Sequence, residues 1–227
     1  KQELMPVLDV ATMRSLDRIA KSTQDLKENH SFLQNVLFYG VGGTGKTMAA
    51  KALAKNSNMN FVMMSGGDLP QYLEKGTHVS ELNKLFNTIK GYEGQTLLFI
   101  DEAESLCQKR SDIIKDRKRV ELINAFLNLT GDNSKRIMLV LATNRPEDLD
   151  EAILSRMDHK LHLCRPGYRE RKHIIKMHVD QTFTKEEAVL FTGGTLDLLA
   201  LDTEGMTGRS LFKMINSLQS FKNQEPD

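Results

Sequence analysis

The sequence is short of cysteine, of excess charge and of long apolar runs, and each shortage removes a class of protein. Two cysteines, Cys107 and Cys164, stand in 227 residues. They lie far apart, with neither a CxxC nor a metal-ligand spacing. No disulfide framework is expected, only two buried or half-buried thiols in a reducing compartment. Lysine and arginine number 31 against 30 aspartates and glutamates, a formal net charge of +1. A chain that grips nucleic acid through its phosphate backbone carries a larger basic excess, so nucleic acid is not expected as the main partner. No apolar run approaches the roughly 18 residues that cross a bilayer; the longest, such as 138–142 (MLVLA), are strand-sized. No signal peptide opens the chain. It starts at Lys1 rather than methionine. A piece of a longer protein is therefore expected, with any membrane anchor or targeting signal outside it.

What is present is enough for a packed core: 40% hydrophobic residues, with 27% charged residues for the surface. The length suits one core domain with a small helical appendage. Residues 1–31 are polar and weakly helical, with short helices expected at 14–20 and 25–29, and read as an N-terminal linker. Apolar runs at 35–39, 60–64, 96–100 and 137–142 have the length and composition of buried strands. Residues 159–163 alternate like a short final strand. Helical spacing or propensity falls between them, at 46–55, 79–89, 120–129 and 147–155. Alternation of this kind predicts an α/β fold, a five-stranded parallel sheet between helices, over 32–166. Past Pro166-Gly167 the strands stop. Helices at 169–180, 185–190, 196–200 and 207–221 predict a small C-terminal helical subdomain over 167–227.

The run from Gly40 to Thr47 (GVGGTGKT) matches G-x-x-x-x-G-K-[ST]. Its glycines allow a fold tight enough to aim successive N–H groups at phosphate oxygens, and the following helix offers its positive end. The nucleotide-binding stretch is read as Gly40, Val41, Gly42, Gly43, Thr44, Gly45, Lys46, Thr47 and Met48. Lys46 reaches the terminal phosphates, and the Thr47 hydroxyl is a ligand for Mg²⁺, which prefers oxygen. The flanking strand and helix are what separate this match from a chance glycine-rich turn.

A second motif, LLFIDE at 97–102, sets two acids at the end of a buried strand, where open α/β sheets bind ligands. Asp101 is expected to hold Mg²⁺ through a water, and Glu102 to orient or deprotonate an attacking water. Phosphoryl transfer asks for positioning and charge stabilisation, which this small set supplies. The bland alternative has Asp101 capping a helix that begins near Ala103. Asn144 follows the strand 137–142, expected between the first and third strands, where its amide reaches the γ-phosphate or the water; as part of Asn-x-Pro it also suits a plain turn. Arg156 is placed to enter a neighbouring copy's site, or else is a solvated surface arginine, as Arg145 and Arg165 are expected to be.

Taken in order, the glycine loop, LLFIDE, LATN and the helix-linked arginine resemble an AAA ATPase, a P-loop NTPase, and 170–178 with 204–209 is similar to that family's helical lid. The resemblance covers about 32–221. It implies ATP and Mg²⁺ as cofactors, and a ring of copies, usually six, with sites shared between neighbours. It implies Asn144 as sensor 1, Arg156 as an arginine finger, Arg209 as a sensor-2 arginine, and His178 and Gly208 close to the ribose and adenine. Three stretches, 65–68, 139–144 and 203–209, look similar to the mitochondrial inner-membrane group known as AAA-domain-containing protein three. That points to an intracellular and mitochondrial protein, membrane-attached only through segments outside this chain.

The departures are specific. Where the family usually has Gly-Pro-Pro-Gly, this chain has Gly40-Val41-Gly42-Gly43, and losing two prolines loosens the empty loop and weakens nucleotide affinity. Where many relatives carry paired arginines, Ser155 replaces one beside Arg156. Tyr72-Leu73 falls where threading members place a pore loop, although Tyr72 packing on its own domain fits equally. Three functions follow: a ring motor that remodels a polypeptide, an ATP-gated assembly scaffold, and a DNA-handling ATPase, the last disfavoured by the near-neutral charge.

Overall fold

The computed structural model describes residues 6–29, 32–68, 77–110, 113, 115–130 and 136–222. The Tyr72-Leu73 pair lies outside the described residues. Five strands, β1 (Val36–Tyr39), β2 (Asn60–Ser65), β3 (Thr96–Asp101), β4 (Ile137–Thr143) and β5 (His159–His162), form one parallel sheet in the order β2-β3-β4-β1-β5. The expected α/β class and five-stranded parallel sheet are both found, with β4 between β3 and β1.

Position in the sheet explains composition. Central β3 and β4 are buried almost throughout, and accordingly read as unbroken apolar runs, TLLFID and IMLVLAT. Edge strand β5 reads HKLH with alternating exposure, and edge strand β2 leaves Met63 half exposed. The register aligns the strand ends that matter. Ser65 lies beside Asp101, and Tyr39 lies beside both Thr143 and His162. The loops that leave β1, β2, β3 and β4 therefore start from one edge of the sheet.

The chain divides into two compact units. The α/β unit comprises the described residues of Arg14–Gly40 and Lys46–His162. It holds the sheet, α2 (Lys46–Asn56), α3 (His78–Gly91), α4 (Arg117–Leu129) and α5 (Glu151–Leu154). Its core joins Leu37, Ile100, Leu122 and Ile153 to the rings of Phe86 and Phe126, which meet edge-on at a centroid distance of 6.2 Å. The helical unit comprises the described residues of 1–13, Val41–Gly45 and 163–227. It holds α6 (Tyr168–Thr182), α7 (Lys185–Ala188), α8 (Gly193–Asp202) and α9 (Gly208–Lys222). Ile174, Ile175, Leu196, Leu211 and Ile215 form its core, with Val7 packed against them. Arg171 is buried in this unit, and its Nε and Nη2 both donate to the Ala200 carbonyl, at 3.0 and 2.8 Å. That is a cation on the negative end of α8.

Three local expectations need correction. The N-terminal stretch is one 20-residue helix, α1 (Val10–Asn29), not two short ones. Its Leu16, Ile19 and Ala20 are buried, and packing overrides the weak propensity between them. The helix expected over 147–155 is instead a 3₁₀ turn at Pro146–Asp148 followed by α5. The break is made at Leu149, which is extended and bridges to Gln108, and at Asp150, which caps α5 by accepting from the Ala152 N–H. Neither cysteine forms a disulfide; Cys107 is buried, but Cys164 is exposed, not half-buried. Among the described residues no helix is long and apolar enough to cross a membrane.

Candidate functional site

In the α/β unit, the strand ends bring the sequence candidates into contact. Lys46 opens α2 and is 7% exposed. Its Nζ donates to the Gly40 carbonyl at 2.7 Å and to Asn144 Oδ1 at 2.8 Å. A buried ammonium requires such partners, since leaving it unpaired costs far more than the hydrogen bonds do. The Thr47 hydroxyl donates to Asp101 Oδ2 at 3.1 Å, and Asp101 Oδ1 accepts the Glu102 N–H at 3.0 Å. Asp101 thus links α2 to the end of β3; the 3₁₀ turn Ala103–Ser105 that follows has Glu102, not Asp101, at its N-cap position.

Glu102 sits in the left-handed region, at φ 52° and ψ 46°. For a residue with a Cβ this is uncommon and costs on the order of 1 kcal/mol. The turn aims the Glu102 carboxylate back at β2, where Ser65 Oγ donates to Oε2 at 3.4 Å. Ser65 Oγ in turn accepts the Gly67 N–H at 3.1 Å. Two glycines make room for this. A Cβ on Gly66 would stand 2.4 Å from the Glu102 carbonyl oxygen, and one on Gly67 would stand 2.6 Å from Oε2. Ser65, Gly66 and Gly67 entered the sequence reading only as a family likeness. The usable signal was a Gly-Gly pair directly after the strand next to the acidic one.

In the helical unit, Gly43, with φ +83°, lies against the start of α9. Its carbonyl accepts the Arg209 N–H at 3.3 Å. A Cβ at Gly43 would meet Arg209 Cβ at 2.8 Å and Thr207 Oγ1 at 2.9 Å, and one at Gly208 would meet the Gly43 carbonyl oxygen at 3.4 Å. Thr44 is buried and donates to the Val41 carbonyl at 3.0 Å, which closes the turn. Gly45, with φ +98°, faces Leu8. Val41 and Gly42 are exposed, Met48 is half-buried, and the Arg209 side chain is exposed. His178 in α6 is buried against the Phe212 ring, at a centroid distance of 5.0 Å. Burial holds its pKa below the usual imidazole value, with a hydrogen bond from the ring to the Gln181 side chain pulling the other way.

Arg156 has a different environment. Its guanidinium is engaged by the end of α4, through the Leu127 carbonyl and Thr130 Oγ1, and by none of the other candidates. The start of α5 is held by Asp150, which takes Arg110 bidentately, Nε to Oδ2 at 2.9 Å and Nη2 to Oδ1 at 3.2 Å. Burial pushes the Asp150 pKa up, but hydrogen bonds from Arg110 and the Ala152 N–H outweigh it and leave the value low. Neither Arg110 nor Asp150 stands in a recognisable motif, and sequence reading passed over both. Arg145 is largely exposed, as expected, near Asp148.

Two hard oxygen donors, Thr47 Oγ1 and Asp101 Oδ2, stand 3.1 Å apart at the end of the loop. This set fits Mg²⁺, which binds through one or two protein oxygens and keeps several waters.

The sequence pattern of the ATPase family associated with various cellular activities (AAA) matches residues 36–165. The chain is 37% identical to ATPase family AAA domain-containing protein 3A of Homo sapiens over 212 residues, which are 89% of this chain and 36% of that protein. It is 34% identical to ATPase family AAA domain-containing protein 3 of Caenorhabditis elegans over 94% of this chain and 38% of the relative. It is 36% identical to the ATPase family AAA domain-containing protein 3A homolog of Drosophila melanogaster, again over 94% of this chain and 37% of the relative. The chain spans little more than a third of the length of these relatives.

Proposed function

Since the chain belongs to the AAA family of ATPases, we propose that it binds ATP with Mg²⁺ and hydrolyses it in a ring of copies, usually six, to remodel a polypeptide. The carrying observation is the pairing at the strand ends: Lys46 with Asn144, and Thr47 with Asp101. Lys46 neutralises the terminal phosphates, replacing neutral oxygen partners by charged ones. Thr47 and Asp101 would hold Mg²⁺, which when bound would supply charge neutralisation at the phosphates. Glu102 orients the attacking water and accepts its proton. The water oxygen bonds to the γ-phosphorus as the bond to the β-bridging oxygen breaks, and ADP departs with that electron pair. The Asn144 amide steadies the water or the γ-phosphate. Arg156 of a neighbouring copy, and Arg209, stabilise charge in the transition state; Gly208 and His178 line the nucleoside.

Steady-state ATP turnover against protein concentration tests this, with Lys46→Ala, Glu102→Gln and Arg156→Ala in parallel. A rate per molecule that rises with concentration and vanishes in all three variants is expected. A low, concentration-independent rate that is indifferent to Arg156 would leave a nucleotide-binding switch.

A second reading, an ATP-gated assembly scaffold, is favoured by the loop itself. Val41 and Gly42 stand in place of two prolines, and without those rings the empty loop has more conformations to lose when nucleotide binds. Glu102→Gln separates the two, since a scaffold still assembles and functions with it and a motor stalls. The three stretches at 65–68, 139–144 and 203–209 support a mitochondrial location, which tagging of the full-length protein tests.

A further inference from the structure

Arg156 is held in an orientation, and the group that holds it has no assigned role. The Nη1 of Arg156 donates to the Leu127 carbonyl and, at 3.1 Å, to Thr130 Oγ1. Leu127 lies in the last turn of α4 and Thr130 is that helix's C-cap, so the guanidinium rests on the negative end of the helix. The Thr130 hydroxyl gives its own proton to the Phe126 carbonyl, at 2.7 Å. Its lone pairs are thereby turned to Arg156, and only a hydroxyl at position 130 performs both tasks.

Donor accounting then separates the two sides of the guanidinium. Nη1 is committed, whereas Nε and Nη2 have no partner among the described residues. Those two N–H groups form the parallel fork that matches an oxyanion. The same fork takes the Asp150 carboxylate in Arg110 and the Ala200 carbonyl in Arg171. In Arg156 it is left open among the described residues.

We infer that Thr130 is a positioning residue for Arg156: it anchors Nη1 at the end of α4 so that the Nε and Nη2 fork is presented, already oriented, to a nucleotide phosphate held by another copy of the chain. This rests on the reading of Arg156 as acting in trans. An arginine anchored before the encounter loses less side-chain freedom when the phosphate arrives, and the saving falls on the transition state, where the charge develops.

Mixing two kinds of chain tests it. Arg156→Ala chains keep a complete hydrolysis set but supply no arginine, and Glu102→Gln chains supply the arginine but do not hydrolyse. Turnover of the Arg156→Ala chains at saturating ATP is measured as each donor is added. The Glu102→Gln donor is expected to raise it, and a Glu102→Gln/Arg156→Ala donor is not. Adding Thr130→Val to the Glu102→Gln donor is expected to cut the stimulated kcat about ten-fold with KM for ATP unchanged, and Thr130→Ser to restore it. Thermal melting of each donor reads folding separately, and Thr130→Ala replaces the valine variant if that one does not fold. Full stimulation by a folded donor lacking the hydroxyl overturns the positioning role while the trans reading stands. No stimulation by the plain Glu102→Gln donor overturns the trans reading, and this inference with it.

Discussion

Lys46 Nζ donates to Asn144 Oδ1 at 2.8 Å, tying the first residue of α2 to the residue that follows β4. The lysine is nearly buried, and its Gly40 partner is likewise a neutral oxygen. Phosphate oxygens are stronger partners for an ammonium than an amide or a carbonyl. Lys46→Ala is therefore expected to abolish ATP binding. Asn144→Ala is expected to leave affinity within a few-fold while turnover falls by about 10², the scale of losing one oriented donor at developing charge. Equilibrium binding beside steady-state turnover checks both. An Asn144→Ala protein that hydrolyses at the parental rate would reduce Asn144 to a turn residue.

Gly66 and Gly67 adjoin the same glutamate but fail in different ways. A Cβ on Gly67 collides with Glu102 Oε2, the far end of a flexible side chain, at 2.6 Å. A Cβ on Gly66 collides with the Glu102 backbone oxygen at 2.4 Å, where nothing swings aside. Gly67→Ala is expected to change stability by no more than about 0.5 kcal/mol and to lower kcat about ten-fold or more by turning the carboxylate away. Gly66→Ala is expected to lose roughly 2 kcal/mol of stability as well, the usual cost of overpacking. Thermal denaturation and kcat measured on the same samples separate the two. Equal melting losses in both variants would show that the Glu102 side chain is not what Gly67 accommodates.

Strand positions were legible because central strands must be apolar on both faces; TLLFID and IMLVLAT admit few other readings. The meeting of Thr47 with Asp101 and of Lys46 with Asn144 was legible because the glycine-loop and acidic-strand motifs fix these residue types at strand ends that a parallel sheet brings together. What escaped was held by long-range side-chain bonds with no local signature. Asp150 reads as an ordinary acid until its bidentate bond to Arg110, forty positions away, is seen. Thr130 reads as a loop residue until Arg156 reaches it. The long α1 was missed because propensity along 14–29 is weak and burial of Leu16, Ile19 and Ala20 decides it.

Adjacent glycines in the phosphate loop provide an internal control. A Cβ on Gly42 meets nothing within 4 Å, whereas Gly43 combines φ +83° with contacts of 2.8 Å to Arg209 Cβ and 2.9 Å to Thr207 Oγ1. Left-handed backbone alone costs a residue with a Cβ about 1–2 kcal/mol. Gly43→Ala is expected to weaken ATP binding about ten-fold or more by pushing the loop off the start of α9. Gly42→Ala is expected to stay within about two-fold. Val41→Pro with Gly42→Pro is expected to tighten binding by narrowing the empty loop's conformations. Calorimetric titration with ATP ranks all three, and a Gly42→Ala protein as weak as Gly43→Ala would show that flexibility, not the contact with α9, sets the affinity.

His178 gives the helical unit a defined pH response. Its Nδ1 is buried with no hydrogen-bond partner among the described residues, its ring packs on Phe212, and burial holds its folded pKa below the usual imidazole value. A base whose pKa falls on folding binds protons more readily in the unfolded chain, so stability rises with pH across the window between the two values. The contribution of His178 is therefore complete above about pH 6.5. It is lost progressively as pH falls from there through the folded pKa, and is flat below it. The share that belongs to His178 is the difference between the parent and His178→Gln. Denaturant melts at pH 7.5 and pH 5 are expected to show a drop in the parent that is smaller in the variant. An identical drop in both would mean that the imidazole becomes protonated without penalty, and that the pocket beside Phe212 admits water.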